Sequence, residues 1–197
     1  MKFILFAISV LLFTNCQSQH SGKSLTEELN EKVADKTYPK IDGIVVEQNN
    51  KIIIEEYFNG FKKDSLQDLR SSFKSITSLL AGIAIDKKLI SLDDKLGRFF
   101  PELKHAGKRN ISVQNLLEMR SGLNCEEFYD IGPECETEMS NSNDWIAFCL
   151  GVELIREPGV KWSYNSNEPM LVGEIITRAS GMSVMEFARH HRSLNQA

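Results

Sequence analysis

The chain has 197 residues, of which 42% are hydrophobic, 25% charged and 9% aromatic. That composition excludes collagen-like, low-complexity and wholly disordered chains, and one long apolar run is too few for a polytopic membrane protein. The 23 Lys and Arg against 27 Asp and Glu give a net charge of −4. The cations are spread along the chain, so no nucleic-acid partner is expected.

The apolar run comes first. Met1-Lys2 is a short basic start, and Phe3 to Phe13 has the length of a signal-peptide core, too short to span a bilayer. Thr14-Asn15-Cys16 follows, then the polar Gln17-Ser18-Gln19-His20. A Cys placed directly after such a core resembles a bacterial lipoprotein box. Residues 1–16 are therefore expected to be an export leader with Cys16 as the lipid attachment point. The other reading is an ordinary signal peptide with an incidental Cys. Either way the product is exported to the periplasm or cell envelope; under the lipoprotein reading it meets the membrane only through the lipid.

Export permits disulfides. Cys125 and Cys135 share the polar stretch Asn124 to Asn143, read as a loop, and could close a short ring there. Cys149 lies in the apolar stretch Trp145 to Leu150 and reads as a small buried hydrophobe. None of the three has metal-ligand spacing, so no metal is expected.

Residues 17–40 read as a tether followed by a first helix at 25–35. Ser24-Leu25-Thr26-Glu27 is a capping box, with Leu25, Leu29 and Val33 on one face. Ile41 to Glu47 and Lys51 to Phe58 are rich in Ile and Val, and Asn49-Asn50 between them predicts a β-hairpin. Asp64 to Leu69 is a polar link. A helix starts at Ser71, and Phe73, Ile76, Leu79, Leu80, Ile83, Ala84 and Ile85 leave so little of it polar that it is expected in the middle of a domain.

Further helices are predicted at Val113 to Met119, stopping at Ser121-Gly122, and at Asn143 to Leu150. Two more follow, at Pro169 to Ser180, ending at Gly181, and from Ser183 to about His190. Pro158-Gly159 is a turn. The order is one helix, one hairpin, then only helices, an α+β chain whose hairpin would be marginal alone.

Ser71-Ser72-Phe73-Lys74 is the first candidate for chemistry. Ser71 opens the apolar helix, where backbone N–H groups favour a developing anion. Lys74, one turn on, shares its face and can serve as its base. The plain alternative is Ser71 as an N-cap and Lys74 as a snorkelling surface residue. The second window is Pro158-Gly159-Val160-Lys161-Trp162-Ser163-Tyr164-Asn165-Ser166-Asn167. A phenol beside a cation can relay a proton to or from a hydroxyl nucleophile. Alone, Tyr164 reads equally well as an interfacial aromatic.

Taken together these windows resemble the serine β-lactamase-related family: class C β-lactamases, D-alanyl-D-alanine carboxypeptidases, and related esterases and amide hydrolases. Ser71-Ser72-Phe73-Lys74-Ser75-Ile76-Thr77 is similar to the first motif of that family. Lys88-Leu89-Ile90-Ser91-Leu92-Asp93-Asp94 and Phe100-Pro101-Glu102-Leu103 resemble the segment after it. Ile111-Ser112-Val113 with Leu116 to Leu123 resembles the helix ending in Ser-Gly-Leu. Pro158-Gly159 before Tyr164, and Leu171-Val172-Gly173 after it, resemble the frame of the second motif. The likeness covers about Ile41 to Ala188, so 41–197 is read as one such domain. It implies a β-lactamase/transpeptidase-like fold and a small-molecule or peptide substrate, with no cofactor. It also implies Ser71 as the acylated nucleophile with its N–H in the oxyanion hole, Lys74 as base, Tyr164 as proton shuttle, and Asn165 and Ser166 as substrate contacts.

Two departures stand out. The second motif of the family is Tyr-x-Asn, whereas this chain has Tyr164-Asn165-Ser166, as in relatives of the 6-aminohexanoate-dimer hydrolase kind. Ser163-Tyr164-Asn165 also fits a Ser-x-Asn motif, but the Pro-Gly spacing selects Tyr164. The third motif, Lys-Thr-Gly or His-x-Gly after the second, does not occur in order. His20-Ser21-Gly22 and His105-Ala106-Gly107 precede Tyr164 and read as loop. The sequence-level expectation is a domain incomplete at its C-terminus, with an uncovered sheet edge open to self-association. The alternative to a hydrolase is then an impaired remnant or a non-catalytic binding protein.

Overall fold

The structure is a computed structural model and describes residues 24–125 and 135–191. The expected leader, Cys16, the tether through residue 23, His20-Ser21-Gly22 and the end from Arg192 lie outside the described residues. The chain divides between Asp68 and Leu69 into two compact units, so the hairpin belongs with the first unit rather than with the helices of the second.

In the first unit, α1 (Leu25–Ala34) begins at the capping box. Ser24 Oγ accepts from Glu27 N at 3.2 Å, and Glu27 Oε2 accepts from Ser24 N at 2.8 Å. No residue of α1 is buried, so its local sequence and cap carry it. Strands β1 (Gly43–Gln48) and β2 (Lys51–Tyr57) pair antiparallel, from Gly43 opposite Tyr57 to Gln48 opposite Lys51. Asn49 and Asn50 both take positive φ, 52° and 59°, as a two-residue turn matching strand twist requires. Ile54 is buried, but Val45, Ile52 and Ile53 remain exposed.

The second unit is helical. A 3-10 turn (Arg70–Ser72) leads into α2 (Phe73–Asp86). The buried residues of α2 are Thr77, Leu80, Ala81 and Ala84, an i, i+3, i+4, i+7 stripe. Phe73 and Leu79 are 48% and 69% exposed. The expectation of a helix enclosed on most sides is therefore not met among the described residues: one stripe is buried, Ile76, Ile83 and Ile85 pack only partly against the core, and Phe73 and Leu79 face outward. The central element is α8 (Asn167–Ser180), with Leu171, Val172, Ile175 and Ile176 at most 1% exposed. Packed on it are α2, α5 (Val113–Leu117), α7 (Trp145–Gly151) and α9 (Val184–His191). Gly181, in the left-handed region, ends α8.

Three helical pieces went unread in the sequence. α3 (Leu96–Phe99) and α4 (Ala106–Arg109) are four residues each. Arg109 Nη1 and Nη2 bind the Leu103 and Gly97 carbonyls at 2.9 and 3.1 Å and tie the two pieces together. His105 Nδ1 accepts from Lys108 N, so His105-Ala106-Gly107 opens a helical turn and is not loop. The stretch read as a loop from Asn124 to Asn143 contains α6 (Cys135–Asn141). Its first residue, Cys135, is joined to Cys125, with the Cα atoms 5.7 Å apart.

Candidate active site

Ser71 sits in the 3-10 turn before α2 and is exposed. Arg70, immediately before it, has φ 46°, a conformation that costs a non-glycine residue free energy and recurs at functional turns. Neither Leu69 nor Ser72, the residues capping the turn and α2, makes a side-chain cap bond. The Ser71 hydroxyl is engaged elsewhere: it accepts from Lys74 Nζ at 3.1 Å and from the Tyr164 hydroxyl at 2.7 Å. Lys74 Nζ also stands 4.7 Å from the Tyr164 ring centroid, within cation–π range. Lys74 therefore folds back over Ser71 and does not snorkel outward.

Tyr164 is brought there by a backbone ladder. Asn124 N bonds Glu153 O, Ile155 N bonds Gly122 O, Gly159 N bonds Arg120 O, and Ser163 N bonds Met119 O. The segment carrying Pro158-Gly159 thus runs beside 119–124. Gly122 takes φ 80°, and a Cβ there would strike the Arg156 carbonyl, so only glycine fits at this crossing. The Ser-Gly-Leu and Pro-Gly windows, separate in sequence, are partners in the fold.

The two residues expected to contact substrate divide. Ser166 joins the cluster: its Oγ accepts from Lys74 Nζ at 3.3 Å and donates to Glu136 Oε2 at 3.1 Å. Asn165 does not. It is 1% exposed, and its Oδ1 accepts from Asn167 N at 2.9 Å. A short amide that bonds its own backbone two residues on makes a turn, and here that turn starts α8.

Sequence reasoning missed three charged residues of this unit. Glu168 is 1% exposed, and its Oε1 accepts from Ser121 N at 3.2 Å and Ser121 Oγ at 2.5 Å. Its Oε2 meets no hydrogen-bonding group among the described residues. Burial pushes the carboxyl up to about 8, against the pull of the two Ser121 bonds. A signal existed: Glu168 lies three and four residues before Leu171 and Val172, on the core face of the helix. Lys108 is also buried; its Nζ binds the Leu150 and Gly151 carbonyls at 2.9 and 3.3 Å, closing α7, and burial holds the amine below its ordinary range. Glu136, on α6, had no signal beyond its place next to Cys135.

The chemistry available is that of an exposed hydroxyl held between an amine and a phenol, with a second hydroxyl behind the amine. Comparison with known proteins shows which family the chain is similar to. A family model described as Beta-lactamase matches residues 31–191. Penicillin-binding protein 4* of Bacillus subtilis (strain 168) is 26% identical over 130 residues, which is 65% of this chain and 28% of that protein. Among solved structures, a candidate 6-aminohexanoate-dimer hydrolase from Bacillus anthracis superposes at TM-score 0.68 with 20% identity, covering 83% of this chain and 45% of that one. The octameric penicillin-binding protein homologue from Pyrococcus abyssi gives TM-score 0.62 and 22% identity, covering 83% and 40%. The chain spans less than half the length of each of these relatives. The fold is of the β-lactamase/transpeptidase type, α+β with its hairpin and a mainly helical remainder. Matched by the family model over most of its length, the chain belongs to the beta-lactamase family.

Proposed function

We propose that this chain carries the acylation centre of a serine hydrolase that cleaves an amide or ester through an acyl-enzyme on Ser71. The observation that carries the reading is the Ser71 hydroxyl held at once by Lys74 Nζ and the Tyr164 hydroxyl. In the first step Ser71 Oγ attacks the acyl carbonyl and its proton passes to Lys74 Nζ. The Ser71 N–H faces the developing oxyanion. Tyr164 hands a proton to the departing nitrogen or oxygen as the acyl–heteroatom bond breaks. Lys74 Nζ then returns its extra proton to the Tyr164 oxygen; water attacks the acyl carbon as one of its protons passes to Lys74 Nζ, Ser71 Oγ leaves and takes that proton, and the acid product departs. The substrate is a β-lactam, a D-Ala peptide or a small ester or amide, in line with the names its relatives carry.

The test is active-site labelling. A fluorescent penicillin or a fluorophosphonate labels the wild type and Ser72→Ala but not Ser71→Ala. Tyr164→Phe slows labelling by roughly 10²-fold, the usual worth of a positioned proton donor. Undiminished labelling of Ser71→Ala overturns the assignment.

We also propose that the protein is exported and anchored through Cys16, on the strength of the basic start, the apolar stretch Phe3 to Phe13 and the Cys that follows. Radiolabelled palmitate fed to expressing bacteria enters the wild type and not Cys16→Ser. Release of unlabelled wild-type protein into the soluble periplasm overturns the anchor.

A further inference from the structure

The hydrogen bonds around Ser71 do not end at Lys74. They continue from Lys74 Nζ to Ser166 Oγ at 3.3 Å and from there to Glu136 Oε2 at 3.1 Å. Ser166 is 7% exposed. Its hydroxyl has one proton, and giving it to a carboxylate leaves the oxygen as an acceptor facing Lys74. Such a bond to an ionised acceptor is stronger than one between neutral groups. The amine is thereby held from behind by an oxygen whose orientation is fixed, with its remaining valences toward Ser71.

The carrier of Glu136 is itself fixed. Cys135, the residue before it, is bonded to Cys125. Cys125 Sγ in turn accepts from Asn167 Nδ2 at 3.0 Å, and Asn167 is the residue after Ser166. The disulfide therefore ties the start of α6 to the start of α8 on both sides of the Glu136–Ser166 bond. Glu136 is exposed, so its carboxylate is not kept there by burial, and the tether gives the contact its geometry.

We propose that Glu136 is a positioning residue for the acylation step: it orients the Ser166 hydroxyl, which holds Lys74 Nζ against Ser71. This inference rests on the reading of Ser71 as the acylated nucleophile. It makes Ser166 part of the relay behind Lys74, and Glu136 the end of that relay.

Pre-steady-state acylation by a fluorescent penicillin, separating the saturation constant from the limiting rate, tests it. Glu136→Ala lowers the limiting rate by about 10-fold or more, as small misplacements of reacting groups do, and leaves the saturation constant unchanged. Glu136→Gln, which keeps an acceptor oxygen, restores at least half the rate. Glu138→Ala, a carboxylate on the same helix, has no effect. A wild-type rate in Glu136→Ala overturns the proposal. So does a change confined to the saturation constant, which would mark a substrate contact, or an equal loss in Glu138→Ala or Glu136→Gln. A thermal double-mutant cycle of Glu136→Ala and Ser166→Ala reads the same contact without chemistry. The proposal expects the double variant to lose less than the sum of the singles, and strict additivity overturns it. If the wild type takes no label, the reading of Ser71 fails, and the cycle alone decides for or against the Glu136–Ser166 contact.

Discussion

Glu168 Oε1 accepts from both the N–H and the hydroxyl of Ser121, 47 residues earlier. This buried pair joins the first turn of α8 to the stretch 119–124, beside which the segment carrying Tyr164 runs. It thus couples the central helix to the crossing at Gly122, and through that crossing to the placement of Tyr164. The cost is a carboxyl in a site that disfavours its charge.

That cost sets a pH dependence. Burial raises the folded-state value of Glu168 from 4.5 to about 8, so between those limits the folded chain holds a proton that the unfolded chain releases. Its contribution to stability is fully present below about 4.5 and is lost as pH rises through about 8, with a slope on the order of 1 kcal/mol per pH unit. Thermal unfolding from pH 5 to 9 is expected to show Tm falling over this window. Glu168→Gln, neutral and nearly isosteric, is expected to flatten the fall and to exceed the wild type at pH 9. A parallel decline in both proteins would refute the account.

The crossing at Gly122 makes the second prediction. An added methyl meets the Arg156 carbonyl, and φ 80° is strained for any L side chain. Gly122→Ala is expected to cost about 2 kcal/mol or more, in line with a non-glycine forced into a sparse region that must also move its neighbour. Because the displaced segment carries Tyr164, the residual folded protein is expected to acylate more slowly than the wild type under conditions where both are folded. Unchanged Tm and labelling rate would show that the segment can shift freely.

The sequence revealed those elements whose signals are local. The capping box at Ser24, the turn at Asn49-Asn50 and the apolar run after Ser71 each gave their element to within a few residues. Ser71, Lys74 and Tyr164 were legible because Lys74 lies one helical turn from Ser71 and because the family resemblance framed Tyr164. What failed was tertiary. α3 and α4 are single turns held by Arg109 and His105, below the length at which periodicity can be read. α6 is polar on its surface and is fixed by a disulfide and by burial of Cys135 and Met139. Asn165 and Ser166 are neighbours of the same polar kind, and only the fold tells that one turns inward to bond Asn167 N while the other meets Lys74.

Thiol chemistry gives the third prediction. In the chain from Gln17 onward three cysteines remain. Cys125 and Cys135 are bonded, and Cys149 is fully buried, with its thiol pushed up to about 12 by that burial. Ellman titration without reductant is expected to find no reactive thiol in the native protein and one after unfolding. Cys135→Ser is expected to lower stability by roughly 3 kcal/mol, the worth of closing a loop of this size. Three thiols on unfolding would show that the bond does not form.

The hairpin supplies the last prediction. β1 and β2 form a two-stranded sheet among the described residues, with Val45, Ile52 and Ile53 each more than half exposed. Ile52 and Ile53 are adjacent on one strand, so they point to opposite faces, and each face carries an exposed isoleucine. The outer edges also carry backbone groups that another chain can pair with. We expect the purified chain, expressed without residues 1–16, to associate with increasing concentration and to bind a hydrophobic dye. A charge on an exposed strand is a standard block to such pairing, so Ile53→Lys is expected to shift the equilibrium toward monomer. Dye binding should fall with it. Sedimentation as a monomer across the concentration range would refute association. Association that survives Ile53→Lys undiminished would place the contact away from the hairpin.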